Sequence, residues 1–169
     1  SNSLNKITPT RLCEKIPGGE GYTAYKSYYV PDYPSRTPYH EDVTDDEKRH
    51  SLMFCVYPSH GVALSSNGVG YKCLRPRSAD QVVLRWGYAS FNPKPRGKAI
   101  TTTTDLMDQL YVEDKESLET LQRGLKSSFS TPSRLGPSDL VGPVWDISQY
   151  MAQKMVPRRA KKPKLQRAS

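Results

Sequence analysis

The sequence predicts an α+β fold: a curved antiparallel sheet gripping a long helix, with a second helix at the C-terminal end. Three observations carry this. Residues 51–91 hold four short apolar or alternating segments separated by turn residues, the pattern of a meander. Further on, Leu110, Leu118, Leu121 and Leu125 recur in steps of three, four or multiples of four, the period of a helix. A second helical stripe, Val144, Ile147, Met151 and Met155, follows near the end of the chain.

The elements can be justified in order. Residues 1–21 are expected to be irregular, with IPGGEG as turn material. Residues 22–30 alternate as a strand does. PDYPSRTPYHEDVTDDEKR then brings three prolines and a cluster of acids, and predicts a long exposed loop. Leu52 to Tyr57 form the apolar run of a buried strand. His60 to Ser66 alternate, with Val62 and Leu64 on the face that His60 shares. Asn67-Gly68 supplies a two-residue hairpin turn, because both residues tolerate positive φ. Val69 to Arg75 return with Val69, Tyr71 and Cys73 on one face. Arg75 to Asp80 turn again, and Gln81 to Phe91 give a long strand with Val82, Leu84, Trp86 and Tyr88 together.

NPKPRGK breaks the pattern at residues 92–98. The threonines at 101–104 offer a helix N-cap, with Asp105 suited to the positive helix start. That helix is expected to run to about Lys126. A loop follows at 127–137, and Ser138 or Asp139 caps a last helix whose start Gly142 and Pro143 delay. The predicted organisation is an irregular segment at 1–21, one domain at 22–155, and a basic tail at 156–169.

The chain has 169 residues, enough for one domain with a core. Its 36% hydrophobic content is low, and 14 prolines with 11 glycines imply many turns. No apolar run approaches the roughly 20 residues that span a bilayer. The start SNSLNKITPT has no apolar segment of a signal peptide, so a cytoplasmic location is expected. Cys13, Cys55 and Cys73 are odd in number and lack CxxC spacing, which reads as reduced thiols. Of the net charge of +8, six charges belong to the tail VPRRAKKPKLQRAS, so the body is near neutral. Such a tail can bind phosphate backbones. With Pro157 and Pro163 in it, a disordered, solubilising end is the preferred reading, and nucleic acid is not an expected partner.

Asp114 is the candidate for chemistry. It lies four residues after Leu110 and four before Leu118, so it completes the apolar stripe while Glu113, Lys115, Glu116 and Glu119 point elsewhere. A carboxylate facing a core needs a cation, a metal or a hydrogen-bond network. The plainer alternative is an acid at a helix edge that reaches solvent or pairs with an arginine. Glu113 and Asp114 are adjacent and cannot both face one substrate from a helix, which argues against paired acid–base catalysis. His60 is placed to line a cavity or to be an exposed strand end, and the second is preferred; His40 and His50 flank the acidic loop and are expected in solvent. The tyrosines at 22, 25, 28, 29, 33 and 39 are read as cross-strand packing rather than a binding wall. Cys55 and Cys73 are read as small core residues.

Strands, the helix EDKESLETLQRGLKSS, a loop with SRLGPSD and an amphipathic terminal helix together resemble the C-terminal end of Rieske non-haem iron oxygenase large (alpha) subunits. These include aromatic-ring-hydroxylating dioxygenases and quaternary-amine monooxygenases. Glu113-Asp114 followed by Gln122-Arg123-Gly124-Leu125 is the most specific piece; the order of elements matches over 50–155 and the sequence closely only over 113–136. The resemblance implies a helix-grip catalytic domain and makes Asp114 the third ligand of a mononuclear Fe(II), beside two histidines from an earlier helix. Two imidazoles and one carboxylate hold Fe(II) on one side and leave positions for dioxygen and substrate. A Rieske [2Fe–2S] cluster would feed electrons in the intact subunit.

This chain departs from that pattern. It has only His40, His50 and His60, none in a His-x4-His pair, and no Cys-x-His with a later Cys-x2-His. The expectation is therefore an incomplete catalytic domain that supplies one iron ligand of three and binds no Rieske cluster. Its function would be that of part of a terminal oxygenase that hydroxylates an aromatic or quaternary-amine substrate. The implied partners are the remainder of the large subunit, a reductase or ferredoxin donor, and two further copies in a trimer of the intact subunit. The alternative is a non-catalytic module that binds a ligand or an anion.

Overall fold

The computed structural model describes residues 2–33, 38–91, 98–131, 134, 136 and 138–156. Most of the expected 92–98 loop and the tail from 157 onward lie outside the described residues. The fold is α+β, built on one six-stranded sheet in the order β1-β2-β3-β4-β5-β6, antiparallel throughout. The strands are β1 (Cys13–Gly19), β2 (Tyr22–Tyr28), β3 (His50–Val56), β4 (His60–Ser65), β5 (Gly68–Ser78) and β6 (Gln81–Ser90). A short helix α1 (Asn2–Asn5) precedes them; α2 (Lys98–Leu125) and α3 (Ser138–Met155) follow.

The four-strand meander at 51–91 is present as expected, with boundaries within two residues except that β5 runs to Ser78, through most of the turn expected at Arg75–Asp80. Residues 1–21 are not irregular: Cys13–Gly19 is the edge strand of the sheet. Its pairing with β2 shifts between Ile16 and Gly19. Pro17 lies in that interval and has no N–H to give a ladder, so a bulged edge strand is where it fits.

The first hairpin turn also differs by one position. Ser65 pairs with Gly68, so Ser66 and Asn67 form the turn and Asn67 keeps a negative φ. Gly68 is needed for space instead: a Cβ there would collide with the Tyr88 hydroxyl and the Ala89 carbonyl. The acidic loop closes on itself before β3. Thr44 N–H donates to Glu47 Oε2 at 2.9 Å, and Glu47 N–H donates back to Thr44 Oγ1 at 3.3 Å, the reciprocal arrangement of a capping box.

The register assigns every strand residue to a face. Thr23, Cys55, Gly61, Lys72 and Trp86 form one cross-strand row. Both long helices sit on that face: the Tyr111 ring of α2 lies 5.6 Å from the Trp86 ring, and Asp146 of α3 bonds Thr23. His60, Val62, Leu64, Val69, Tyr71 and Cys73 occupy the opposite face. The tyrosines do pack across strands, Tyr22 against Phe54 and Tyr28 against His50.

The expected grip on the long helix is slight. Leu110 is buried and Tyr111 meets the sheet, but Leu118, Leu121 and Leu125 are 61%, 59% and 57% exposed. The helix starts at Lys98, so the threonines lie inside it rather than at its cap; Thr104 Oγ1 donates to the Thr101 carbonyl at 3.0 Å. The expected apolar stripe of α3 is turned outward as well, with Val144, Met151 and Met155 exposed. Among the described residues only Ala24 and Leu110 are buried hydrophobics.

Gly124 does not pack α2 on the sheet. A Cβ at that position meets nothing within 4 Å. Gly124→Ala should therefore stabilise the chain by about 0.5–1 kcal/mol through lower backbone entropy in the unfolded state. Thermal unfolding checks this, and a loss of stability would show a close contact at that position.

Candidate functional site

Asp114 is exposed, which corrects the expectation that it faces a core. An exposed carboxylate keeps its hydration and requires no buried cation or metal to account for it. Its surroundings are still informative. Burial first, and the negative charge of Asp114 second, push the Tyr111 phenol upward. Asp114 follows Tyr111 by about one turn of α2, and the Tyr111 ring meets Trp86 of the sheet. Beyond Asp114 the three exposed leucines continue the same helical stripe. Glu113, its neighbour, is turned toward α1 and accepts from Ser3 Oγ at 2.5 Å and Ser3 N–H at 3.3 Å.

The histidines do not gather around Asp114. His40 is exposed, with Nδ1 3.6 Å from Asp42 Oδ2. His50, expected in solvent, is 5% exposed and lies against Tyr28 at 5.3 Å between ring centroids. Its Nδ1 is buried without a hydrogen-bond partner among the described residues. His60 is exposed and lies on the sheet face opposite α2, so it lines no cavity shared with Asp114. Among the described residues no three His, Cys, Asp or Glu side chains come together as a metal site. The described residues thus do not by themselves fit mononuclear iron: Asp114 would give one ligand of three. Cys13, Cys55 and Cys73 are free thiols, with Cys13 exposed and the other two half-buried.

A second site was not anticipated from the sequence. Where α3 crosses the β1–β2 hairpin, Asp146 Oδ2 accepts from Thr23 Oγ1 at 2.8 Å and pairs with Lys15 Nζ at 2.6 Å. Thr23 is 2% exposed, and its hydroxyl also bonds the Tyr57 hydroxyl. The Tyr57 and Tyr150 rings lie 5.1 Å apart, and Lys154 Nζ stands 5.5 Å from the Tyr150 ring centre. Around this contact is a cleft of about 370 Å³ lined also by Gln149 and Gln153. The sequence did carry a signal: Asp146, Gln149, Tyr150 and Gln153 recur at helical spacing, a polar stripe that the neighbouring apolar stripe outweighed.

Burial would raise the Asp146 carboxyl, but hydrogen bonds from Lys15 and Thr23 and the Lys15 charge together hold it below its ordinary value. The Tyr57 phenol is pushed up, by burial first, against the lowering effect of Thr23.

No family model matches the sequence, and no curated protein matches it. Solved structures do. One is a quaternary ammonium Rieske monooxygenase described for carnitine oxidation by gut microbiota and inter-subunit electron transfer. It is 15% identical, with a TM-score of 0.55 over 74% of this chain and 32% of that chain. Another is the quaternary ammonium Rieske monooxygenase CntA in complex with an inhibitor. It is also 15% identical, with a TM-score of 0.62 over 90% of this chain and 40% of that one. At this identity the likeness is one of fold. The chain spans roughly a third to two fifths of the length of these structures. No helix among the described residues is long and apolar enough to cross a membrane.

The lowered Asp146 value fixes a pH dependence. The stability it contributes is fully present above the ordinary aspartate value of about 3.9 and is lost as pH falls through the lower folded value. Asp146→Asn should cost about 1 kcal/mol at pH 7 and flatten the loss of stability below pH ~4. Urea unfolding at several pH values checks both; an unchanged pH profile in the variant would rule the contact out as a source of that dependence.

Proposed function

We propose that this chain is the sheet-and-helix portion of the catalytic domain of a Rieske-type non-haem iron oxygenase, and that Asp114 is the carboxylate it brings to mononuclear Fe(II). The observation that supports this most is the shared fold: 90% of the chain superposes on a Rieske monooxygenase at a TM-score of 0.62. The position of Asp114 agrees with it, on the helix that follows the meander and about one turn past that helix's contact with the sheet.

The role open to this chain's own residues is that of a scaffold. The sheet row ending at Trp86 fixes the height of Tyr111, and Tyr111 fixes Asp114 three residues on. The exposed Leu118, Leu121 and Leu125 present an apolar strip suited to packing by the remainder of the large subunit. In this reading the two histidine ligands and the [2Fe–2S] cluster belong to other parts of the oxygenase, a reductase or ferredoxin supplies electrons, and the intact subunits assemble as trimers. The substrate is aromatic or a quaternary amine. Iron, once bound by the complete ligand set, would supply the capacity to activate dioxygen.

One observation favours the second reading, a non-catalytic binding module: Asp114 is exposed, and an exposed carboxylate needs no metal to stabilise it. Anaerobic Fe(II) binding separates the two. The chain alone should bind iron weakly. Adding the histidine-bearing segment of a Rieske oxygenase large subunit should produce a tight site that Asp114→Asn abolishes. Iron bound in no combination, or bound equally by the variant, would leave the binding module as the function.

A further inference from the structure

The cleft between α3 and the β1–β2 hairpin is open to solvent along one side, and it plays no part in the iron reading. Its volume of about 370 Å³ lies within the range of small-molecule sites, roughly 300–1,000 Å³. The floor is held in place. Thr23 is 2% exposed and its hydroxyl is engaged by Tyr57 and Asp146. Lys15 and Thr23 both contact Asp146 through Oδ2, and Oδ1 has no hydrogen-bond partner among the described residues.

The walls add complementary chemistry. Gln149 and Gln153 line the cleft, and their amides have no hydrogen-bond partner among the described residues. Each amide offers a carbonyl acceptor and two N–H donors. The Tyr57 and Tyr150 rings, packed on each other with Lys154 Nζ over Tyr150, supply the apolar edges next to these groups. The charges decide the class of ligand. Lys15 neutralises Asp146, so the floor carries no net charge, while Glu20 in the lining repels an anion and would hold a cation to itself rather than to the floor. A molecule rich in hydroxyls fits instead: each hydroxyl both donates and accepts, and the C–H faces between hydroxyls can lie on a tyrosine ring.

We propose that this cleft binds a neutral polyhydroxylated molecule of the sugar class, with its hydroxyls on Asp146 Oδ1 and the Gln149 and Gln153 amides and its C–H face against the tyrosine rings. The class differs from both substrates considered for the iron site.

The test is an NMR titration of the chain with glucose, maltose and cellobiose, each separately, and with choline and acetate as charged controls. The Gln149→Ala/Gln153→Ala variant is titrated in parallel; both glutamines are exposed, so the variant should fold as the parent does. The expected result is saturable shifts at Thr23, Tyr57 and Tyr150 with at least one sugar, at millimolar affinity. The double variant should bind that sugar about tenfold more weakly, the loss expected for two neutral hydrogen bonds. No saturable shift with any of the three sugars would overturn the proposal. So would equal binding by the variant, or stronger shifts at the same residues with choline or acetate.

Discussion

One continuous antiparallel register governs this structure. It brings Thr23, Cys55, Gly61, Lys72 and Trp86 into a single row across five strands, about 19 Å at the usual strand spacing. Each long helix docks at one end of that row, α3 on Thr23 through Asp146 and α2 on Trp86 through Tyr111. A slip of one residue in any pairing would turn the strands beyond it over. One docking residue would then face away from its helix.

The middle of that face offers the helices little to pack on. Gly61 and Gly70 carry no side chain on that face, and Ala63 between them carries a methyl. The stem of Lys72 lies over Gly61, where a Cβ would meet it at 2.7 Å. Little apolar bulk rises there to fill the space beneath α2 and α3. Beyond Leu110, the helices direct Leu118, Leu121 and Leu125 of α2 and Val144, Met151 and Met155 of α3 outward. The described residues are thus held together by strand pairing, aromatic contacts and polar junctions such as those at Asp146 and Glu113, more than by a large buried core. Apolar strips of this kind mark surfaces that other protein covers. The domain reading predicts that condition for a chain matching about a third to two fifths of its structural neighbours' length.

The sequence revealed the α+β class and the meander because alternation and turn residues are local signals. Its limits were equally physical. The edge strand Cys13–Gly19 was hidden by Pro17 and the two glycines, which read as turn material but here belong to a bulged edge. The helical phase of Asp114 was read correctly, but phase gives a direction around an axis and not what lies in that direction. Here the stripe meets solvent. For the same reason Val144, Met151 and Met155 pointed to the wrong docking face of α3, where Asp146 makes the contact instead. His60 illustrates the gain from register. Alternation put it with Val62 and Leu64, and only the pairing with β5 showed that this face is the one without the helices.

The most direct measurement is a set of side-chain nuclear Overhauser contacts in the isotope-labelled chain. This account predicts cross-peaks from the Tyr111 ring to Trp86 and from Thr23 to α3 near Asp146, with none from either helix to Val62 or Tyr71. Contacts from α2 or α3 to Val62 or Tyr71 would put the helices on the other face, and would contradict both the placement of Asp114 and the cleft at Thr23.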